Sequence, residues 1–260
     1  MQTIVIKYGG SVNIAANYLL EEIAYHVLRG TKVVIVHGGG PEISSFLTRL
    51  GHSSQFLDGQ RVTDETTLEV VEMVLAGRVG KRIVRHLAAH GAKAVSISGE
   101  DAGLVKAVPY SDDDLLGLVG KVDEVDTDIL HTLLDAGYVP VVAPLGIDRD
   151  GQMRNINADF VAGAIAGSLG ADAFILATDV PGVKETPTSS SAIAQLTVSE
   201  ALAMIEDGRA TGGMIPKIQA AVEAVVKGAG ETWVVDGTRA GIFDGVMRRE
   251  RIGTRICPTT

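Results

Sequence analysis

Short, continuous apolar runs recur along the chain and predict the strands of a buried sheet. They are rich in Val and Ile, and glycine or polar residues bound them, as in parallel strands that are covered on both faces. We therefore expect helices on both sides of the sheet. The predicted strands are residues 3–8, 32–37, 94–98, 138–144, 173–178 and 232–236.

The segments between these runs carry apolar residues at helical spacing. Leu19, Ile23 and Val27, for example, recur every four residues. The predicted helices are residues 14–28, 41–50, 64–76, 79–89, 127–136, 158–169, 198–207 and 213–228. Strands that alternate with helices predict an α/β fold with a doubly wound, mainly parallel sheet.

Two stretches interrupt this alternation. Residues 53–63 and 104–126 have the pattern of β-hairpins, with turns at Asp58-Gly59 and around residues 112–114. Hairpins inserted into an α/β series often form a rim over a ligand. The chain has no internal repeat and no long linker, so we expect a single domain over residues 1–260. Its two halves are approximately residues 1–170 and 171–260.

The charge of the chain excludes some classes of partner. A net charge of −9 and a pI near 5.1 argue against a nucleic-acid binder, although a local basic pocket on an acidic protein can still hold a small anion. No apolar run reaches the ~20 residues of a membrane span, and no charged segment followed by an apolar signal core is found, so we expect neither a membrane helix nor a signal peptide. A single cysteine, Cys257, excludes an internal disulfide framework and favours the cytoplasm.

Two predicted strands end in glycines. Lys7 precedes Gly9 and Gly10, and His37 precedes the glycines at 38–40. Glycines permit tight turns in any protein, and in the familiar phosphate loop the lysine follows them. Two such turns at the carboxyl ends of predicted strands nevertheless favour an anion site.

Four further segments carry candidate chemistry, each beside a structural interpretation. Arg61 is either a solvated turn residue or the partner of a substrate carboxylate. Asn157 or Asp159 could cap a helix, but capping does not explain Asn155 as well. Asp179 precedes a Pro-Gly turn that could border a nucleotide. Lys217 lies near a helix N-terminus, where a lysine is unfavourable unless a ligand needs it.

The remaining basic and catalytic patterns are weak. The basic run at 77–86 is typical of a solvated helix face, or alternatively of a docking patch. The chain has no HExxH, GxSxG or Walker sequence. These patterns therefore predict neither a catalytic triad nor a metal bound directly by side chains.

Taken together, these segments resemble the amino-acid kinase family along nearly the whole chain. The matching segments are IVIKYGG (4–10), VIVHGGGPEI (34–43), GQRVTDETTLEVVEMVLAG (59–77), AGYVPVV (136–142), NINADFVAGAIAGSLGA (155–171), TDVPGV (178–183), GGMIPKIQAAVEAV (212–225) and IGTRI (252–256). GQRVT with TLEVVEMVLAG, and NxNAD with its helix of small residues, favour the branch of the family that phosphorylates N-acetylglutamate.

The resemblance implies a three-layer αβα sandwich with a central, mainly parallel sheet. It places the acyl acceptor near the N-terminal half, residues 1–170, and ATP near the C-terminal half, residues 171–260. The implied reaction transfers the γ-phosphoryl group of ATP to the side-chain carboxylate of N-acetyl-L-glutamate, a step of arginine biosynthesis. Mg²⁺ would be bound through the ATP phosphates, with no metal ligand from the chain.

The same resemblance assigns roles to individual residues. Lys7 and Lys217 would stabilise the transferring phosphoryl group, and Asp159 would hold both lysines. The residues implied to bind the acceptor are Gly39, Gly40, Arg61, Asn155 and Asn157. Those implied to bind the nucleotide are Gly9, Gly10, Gly38, Asp179, Val180, Pro181, Gly182, Val183, Lys184, Arg209, Ala210 and Thr211.

Departures from the family pattern keep other interpretations open. SVN after the two glycines replaces a more familiar Asn-Ala-Met-like continuation, which leaves the branch open. The first strand starts at about Thr3, without the extra helix of arginine-inhibited members, so the resemblance implies a homodimer. One alternative is a kinase for glutamate or aminoadipate attached to a small acidic carrier protein. Another is a silent sensor that binds ATP without catalysis.

Overall fold

In a computed structural model of the chain, the structure describes residues 2–9, 18–57, 59–111, 114–186, 188–189 and 191–258. The strands, numbered in chain order, are β1 (Thr3–Tyr8), β2 (Lys32–His37), β3 (Phe56–Leu57), β4 (Gln60–Arg61), β5 (Ala94–Ser98), β6 (Val105–Pro109), β7 (Val119–Val125), β8 (Val139–Ala143), β9 (Leu145–Ile147), β10 (Met153–Ile156), β11 (Ala173–Thr178), β12 (Gln195–Thr197), β13 (Thr232–Asp236) and β14 (Gly253–Cys257). Every strand predicted from the apolar runs is present.

The helices are α1 (Tyr18–Val27), α2 (Gly40–Arg49), α3 (Glu65–Glu72), α4 (Gly80–Ala89), α5 (Asp128–Asp135), α6 (Ala158–Ser168), α7 (Val198–Glu206), α8 (Met214–Val226) and α9 (Ile242–Met247). A π-helical segment, Met73–Val79, joins α3 to α4, and a 3₁₀ turn spans Asp101–Gly103. None of the described helices has the length and apolar character that crossing a lipid bilayer requires.

Within the described residues, eight strands form one sheet in the order β12-β14-β13-β11-β1-β2-β8-β5. Neighbouring strands of this sheet run parallel except for β13 and β14, which are antiparallel. β1 is central, with Lys7 paired with Val36 of β2 on one side and Leu176 of β11 on the other. The predicted α/β fold with a mainly parallel sheet is therefore confirmed.

The alternating side chains of the strands build two hydrophobic cores. Ile4 and Ile6 of β1 point to the core that also contains residues of α1, α2, α3, α4 and α9. Val5 points to the opposite core, which contains residues of α5, α6, α7 and α8. Because helices cover both faces of the sheet, the molecule is a three-layer αβα sandwich.

Both predicted hairpins are present. β3 and β4 pair antiparallel, and so do β6 and β7. The second hairpin joins β9 and β10 in a small closed barrel, which the sequence patterns did not predict. Of the turns expected in these hairpins, Asp58 and residues 112–113 lie outside the described part of the chain. β10 runs almost directly into α6, so the barrel holds Asn155 next to the start of that helix.

Several predicted boundaries were wrong. Residues 64–76 and 79–89 were expected as two helices, but α3, the π segment and α4 follow one another without a gap. Gly77 does not end the helix, since an interior glycine costs only about 1 kcal/mol. The strand expected at 138–144 is β8, and after Pro144 the chain continues as β9. Of the helix expected at 14–28, residues 14–17 lie outside the described residues.

Candidate active site

The carboxyl ends of three central strands bring the glycine turns to one edge of the sheet. β1 ends at Tyr8, which pairs with His37, the last residue of β2, and with Ala177 near the end of β11. Gly9 and Gly38 follow β1 and β2 directly, and the N–H group of Gly38 donates to the carbonyl oxygen of Tyr8 (3.0 Å). Because the strands are parallel, ligands are expected at this edge. Gly10 lies outside the described residues.

Lys7, Asp159 and Lys217 meet at this edge although they are far apart in the sequence. The Nζ atom of Lys7 lies 2.8 Å from Oδ1 of Asp159, and Nζ of Lys217 lies 3.0 Å from Oδ2. The side chain of Asp159 is 4% exposed, whereas those of Lys7 and Lys217 are 12% and 18% exposed. One buried carboxylate therefore holds two ammonium groups at the rim of a cavity.

The electrostatics of this group keep Asp159 ionised. Burial raises the pKa of the carboxyl, but the charges of Lys7 and Lys217 and their hydrogen bonds together outweigh burial. The pKa of Asp159 consequently lies below its ordinary value. Two cations thus share one anion, and an excess positive charge remains for a ligand.

Two helices position Asp159 and Lys217 against each other. Asn157 caps α6, because its Oδ1 accepts from the backbone N–H of Asp159 (2.9 Å). α6 then packs closely on α8: a Cβ added to Gly163 would lie 2.6 Å from the carbonyl oxygen of Ala220. The small residues of NINADFVAGAIAGSLGA therefore bring α8, and with it Lys217, to the carboxylate.

Arg61 lines a cavity of about 170 Å³, which we call the Arg61 cavity. Its lining contains every residue that the resemblance assigned to the acceptor, namely Gly39, Gly40, Arg61, Asn155 and Asn157, and also Gly38, which was assigned to the nucleotide. Ala158, the residue before Asp159, also lines this cavity, so the cavity lies beside the two lysines.

Arg61 is 8% exposed and is held by neutral oxygen atoms. Its Nη1 donates to Oγ of Ser54 (2.6 Å), and its Nη2 donates to Oγ of Ser44 (2.9 Å) and to the carbonyl oxygen of Gly40 (3.0 Å). Its guanidinium also lies 4.7 Å from the centre of the Phe56 ring. Burial lowers the pKa of Arg61 from a value far above neutrality. Among the described residues no carboxylate pairs with it, so its charge is available to an anion.

Asn155 is tied to Arg61 through one intermediate residue. Its Nδ2 donates to Oγ1 of Thr63 (3.0 Å), and Thr63 donates to the carbonyl oxygen of Arg61 (2.8 Å). These two hydrogen bonds connect β10 of the small barrel to the β3–β4 hairpin. Ser44, Ser54 and Thr63 were not among the predicted site residues. Only Thr63, which lies inside GQRVT, carried a signal in the sequence.

The turn after β2 presents the start of α2 to the Arg61 cavity. Gly39 caps α2 with a φ of −177°, an extended conformation that any residue adopts. Space is the reason for glycine here, since an added Cβ would lie 2.6 Å from Cδ2 of Leu75. The first N–H groups of a helix lack carbonyl partners in the preceding turn, so this end of α2 suits an anionic group.

Two adjoining cavities extend from the lysines over the C-terminal half. The first, which we call the lysine cavity, has a volume of about 380 Å³ and is lined by Lys7, Gly9, Thr178, Asp179, Val180, Thr211, Gly213, Met214 and Lys217. The second, of about 180 Å³, is lined by Val180, Gly182, Val183, Lys184, Arg209, Ala210, Thr211 and Met214. They share Val180, Thr211 and Met214. Most residues assigned to the nucleotide line one of the two, whereas Gly38 and Pro181 line neither. Thr178, Gly213 and Met214 were not predicted.

Residues outside the smaller of these two cavities hold its lining residues in place. The N–H group of Val183 donates to Oγ1 of Thr254 (2.9 Å), and this hydroxyl lies 2.6 Å from the carbonyl oxygen of Ile193. Gly182 has a φ of 144°, a conformation that favours glycine. On the other wall Arg209 pairs with Glu185 (2.8 Å) and Asp207 (3.1 Å). Thr254, on β14, was not predicted as a contributor.

A buried histidine lies beneath the glycine turn. Burial lowers the pKa of His37 to about 4, so the ring is neutral at pH 7. Its Nδ1 lies 3.1 Å from the carbonyl oxygen of Gly38, so an Nδ1–H donor would hold that carbonyl. The positive charge of Arg82, which pairs with Glu42 of α2, also lowers the pKa of His37. His37 therefore helps to fix the glycine turn through the carbonyl group of Gly38.

Comparisons with known proteins agree with this geometry. The sequence profile of the amino acid kinase family matches residues 2–236. Acetylglutamate kinase of Syntrophomonas wolfei is 44% identical over 258 residues, covering 97% of this chain and 90% of the relative. Acetylglutamate kinase of Symbiobacterium thermophilum is 44% identical over 267 residues, covering 98% and 91%.

A solved structure agrees as well. The crystal structure of smu.665 from Streptococcus mutans UA159 superposes with a TM-score of 0.84 at 30% identity and covers 99% of both chains. The family profile matches most of the chain, and the curated relatives extend over nearly its full length. The chain therefore belongs to the amino acid kinase family.

Proposed function

We propose that this chain transfers the γ-phosphoryl group of ATP to the side-chain carboxylate of N-acetyl-L-glutamate, as a step of arginine biosynthesis. The observation that carries the proposal is the pair of lysines held on Asp159 beside the Arg61 cavity. Relatives with 44% identity that are named acetylglutamate kinase support the same acceptor.

In this reaction a carboxylate oxygen of the acceptor forms a bond to the γ-phosphorus, and the bond from that phosphorus to the β–γ bridging oxygen breaks. The electron pair leaves with ADP. An ionised carboxylate is already a nucleophile, so the reaction requires no general base. Lys7 and Lys217 neutralise the charge on the transferring group, and this electrostatic contribution dominates enzymatic phosphoryl transfer.

The Arg61 cavity would hold the acceptor. Arg61 would bind the α-carboxylate, since its charge is not compensated by a described side chain and its contacts with Ser44, Ser54 and Gly40 use three of its five N–H donors. Asn155, fixed by Thr63, would contact the same end of the molecule. The N–H groups at the start of α2, next to Gly39 and Gly40, would orient the reacting carboxylate.

ATP would occupy the two cavities between β11 and α8. Both oxygens of Asp159 are engaged by lysines, so this carboxylate is not free to hold a metal. Asp179 is exposed and lines the lysine cavity. Mg²⁺ would be carried on the ATP phosphates, where it would supply further charge neutralisation. Residues 171–260 would then bind mainly the nucleotide and residues 1–170 mainly the acceptor.

A hydroxylamine assay tests the proposal, because hydroxylamine traps an acyl phosphate as a hydroxamate. With Mg-ATP we expect hydroxamate from N-acetyl-L-glutamate and none from N-acetyl-L-aspartate, which is one methylene shorter. Turnover only of a carrier-linked glutamate or aminoadipate would contradict the assigned acceptor. A rise in melting temperature with ATP but no turnover of any acceptor would make the chain a sensor.

We also propose that the enzyme acts as a homodimer in the cytoplasm. The single Cys257 suits a reducing compartment. Light scattering coupled to size-exclusion chromatography would give the mass of the particle in solution. A mass of twice 27.2 kDa is expected, and a mass of one chain or of six would contradict the dimer.

A further inference from the structure

Two histidines and a glutamate converge where α1 packs on α4, away from the cavities described above. His86 lies in the last turn of α4 and His90, four positions later, is the C-cap residue of that helix, so both rings lie on one face. Their centres are 4.8 Å apart in a stacked arrangement. One nitrogen from each ring and one carboxylate oxygen of Glu21 on α1 all lie within 4.8 Å of one another. The sequence patterns did not single out this pair, because HLAAH lacks the glutamate of HExxH.

The hydrogen bonds leave ring nitrogens available. Nδ1 of His90 lies 2.9 Å from the carbonyl oxygen of His86, so a proton on Nδ1 donates there and Nε2 keeps its lone pair. That Nε2 lies 3.8 Å from Oε1 of Glu21. Nε2 of His86 is buried, and none of the described residues provides it with a hydrogen-bond partner.

A simple ion pair accounts for only part of this arrangement. It would explain the approach of Glu21 to His90, but it leaves the buried nitrogen of His86 without a function. An imidazole binds a metal through an unprotonated ring nitrogen, and the buried Nε2 of His86 is placed to supply one.

We propose that Glu21, His86 and His90 bind one Zn²⁺ ion that ties α1 to α4. Two imidazoles and a carboxylate are a recognised zinc set, with bonds of about 2.0–2.2 Å and a water in the fourth position. Side-chain rotations bring the three ligand atoms from their present separations to a common centre. Imidazole nitrogen also favours zinc over Mg²⁺ or Ca²⁺, which prefer oxygen ligands.

Metal titration of the untagged, chelator-treated enzyme tests this site. Isothermal calorimetry with Zn²⁺ should give one equivalent bound, and Co²⁺ should give the visible absorption of a tetrahedral centre. His90→Gln and Glu21→Gln alter exposed residues and should each weaken binding more than about tenfold, since even indirect partners of a metal are worth that much. His131→Gln is the matched control, because α5 packs on the opposite face of the sheet.

Stability and activity measurements separate binding from damage to the fold. Zn²⁺ should raise the melting temperature of the native protein and of His131→Gln, but not that of His90→Gln. Without metal, all variants should melt near the native temperature and retain kinase activity with Mg-ATP. Equal zinc affinity in the native protein and His90→Gln would overturn the proposal. Zinc binding that occurs only with a doubling of the particle mass would also overturn it, by placing the ligands on two copies of the chain.

Discussion

The two charged centres of the site are built in opposite ways. Arg61 is buried among neutral oxygens from Ser44, Ser54 and Gly40, and Oγ of Ser54 also donates to Oγ of Ser44 (3.3 Å). Lys7 and Lys217 instead depend on a single carboxylate, that of Asp159. Each centre retains excess positive charge for an anionic ligand, but only in the lysine centre does one side chain hold all of the charge in place.

This difference suits the two tasks. A binding residue gains from fixed geometry, because little conformational entropy is then lost when the ligand arrives. The lysines come from β1 and α8, so a shared anion is needed to bring two like charges together at one point. The comparison predicts that changes around Asp159 affect stability and rate together, whereas changes around Arg61 affect mainly the binding of the acceptor.

The largest effect is expected from Asp159→Asn. Removing the charge leaves two half-buried ammonium groups facing each other, and breaking a buried pair in this way typically costs about 3–5 kcal/mol. Urea unfolding would measure the loss. Asp135→Asn, which removes an exposed partner of Lys32, is the control and should change stability little. Equal losses in the two variants would show that the lysines do not depend on Asp159.

The same variant gives a pH dependence with a definite sign. The pKa of Asp159 lies below its ordinary value of 3.8, so its contribution is fully present above about pH 4 and is lost as the pH falls through the folded pKa. The stability difference between the native protein and Asp159→Asn should thus be constant at neutral pH and shrink below about pH 4. A difference that grows on acidification would contradict the lowered pKa.

Lys217→Ala should lower kcat strongly and change the KM for ATP much less. An electrostatic contact made in the transition state is worth about 2.7–4 kcal/mol, or roughly 10²–10³-fold in kcat. Steady-state kinetics with Mg-ATP would separate the two constants. Lys227→Ala is the control, since Lys227 at the end of the same helix pairs with exposed Glu223. An unchanged kcat would remove Lys217 from the transition state.

Much of this arrangement follows from sequence patterns alone. Parallel strands put their carboxyl ends at one edge, so the turns after Lys7 and His37 had to lie together. The sequence also predicted a cap for α6, although the pattern did not decide between Asn157 and Asp159. The structure assigns the cap to Asn157. Long-range pairs such as Lys7 with Asp159 came from the family resemblance, because spacing in one sequence does not reveal them.

Other features were not readable because tertiary packing decides them. β14 and β9 are short, and each also pairs with a strand distant in the sequence, β14 with β12 and β9 with β6. The oxygen atoms that hold Arg61 come from two segments, the start of α2 at Gly40 and Ser44, and Ser54 beyond that helix. The continuity from α3 to α4 depends on a π segment that packs Leu75 against Gly39, whereas the sequence offered only a glycine at position 77.

Arg61→Lys should weaken binding of the acceptor and leave ATP binding nearly unchanged. Lysine keeps the charge, but its single nitrogen cannot hold Ser44 and Ser54 and also grip a carboxylate. A lost hydrogen bond to a charged group costs about 2 kcal/mol, so the KM for N-acetyl-L-glutamate should rise roughly 30-fold. Arg49→Lys, on the exposed end of α2, is the control. A comparable rise in the KM for ATP would show that the two centres are not separate.

The smallest effect is expected from Gly39→Ala, which tests whether space alone requires glycine beside Arg61. An added Cβ would lie 2.6 Å from Cδ2 of Leu75, and overpacking of this kind costs about 1–3 kcal/mol. Gly40→Ala is the matched control, since no atom lies within 4 Å of an added Cβ there. Thermal unfolding should therefore show a loss for Gly39→Ala and none for Gly40→Ala. Leu75→Ala removes the obstructing atoms, so the loss caused by Gly39→Ala should be smaller in that background. A loss of the same size with and without Leu75 would mean that the backbone of the turn, rather than the space beside it, requires glycine.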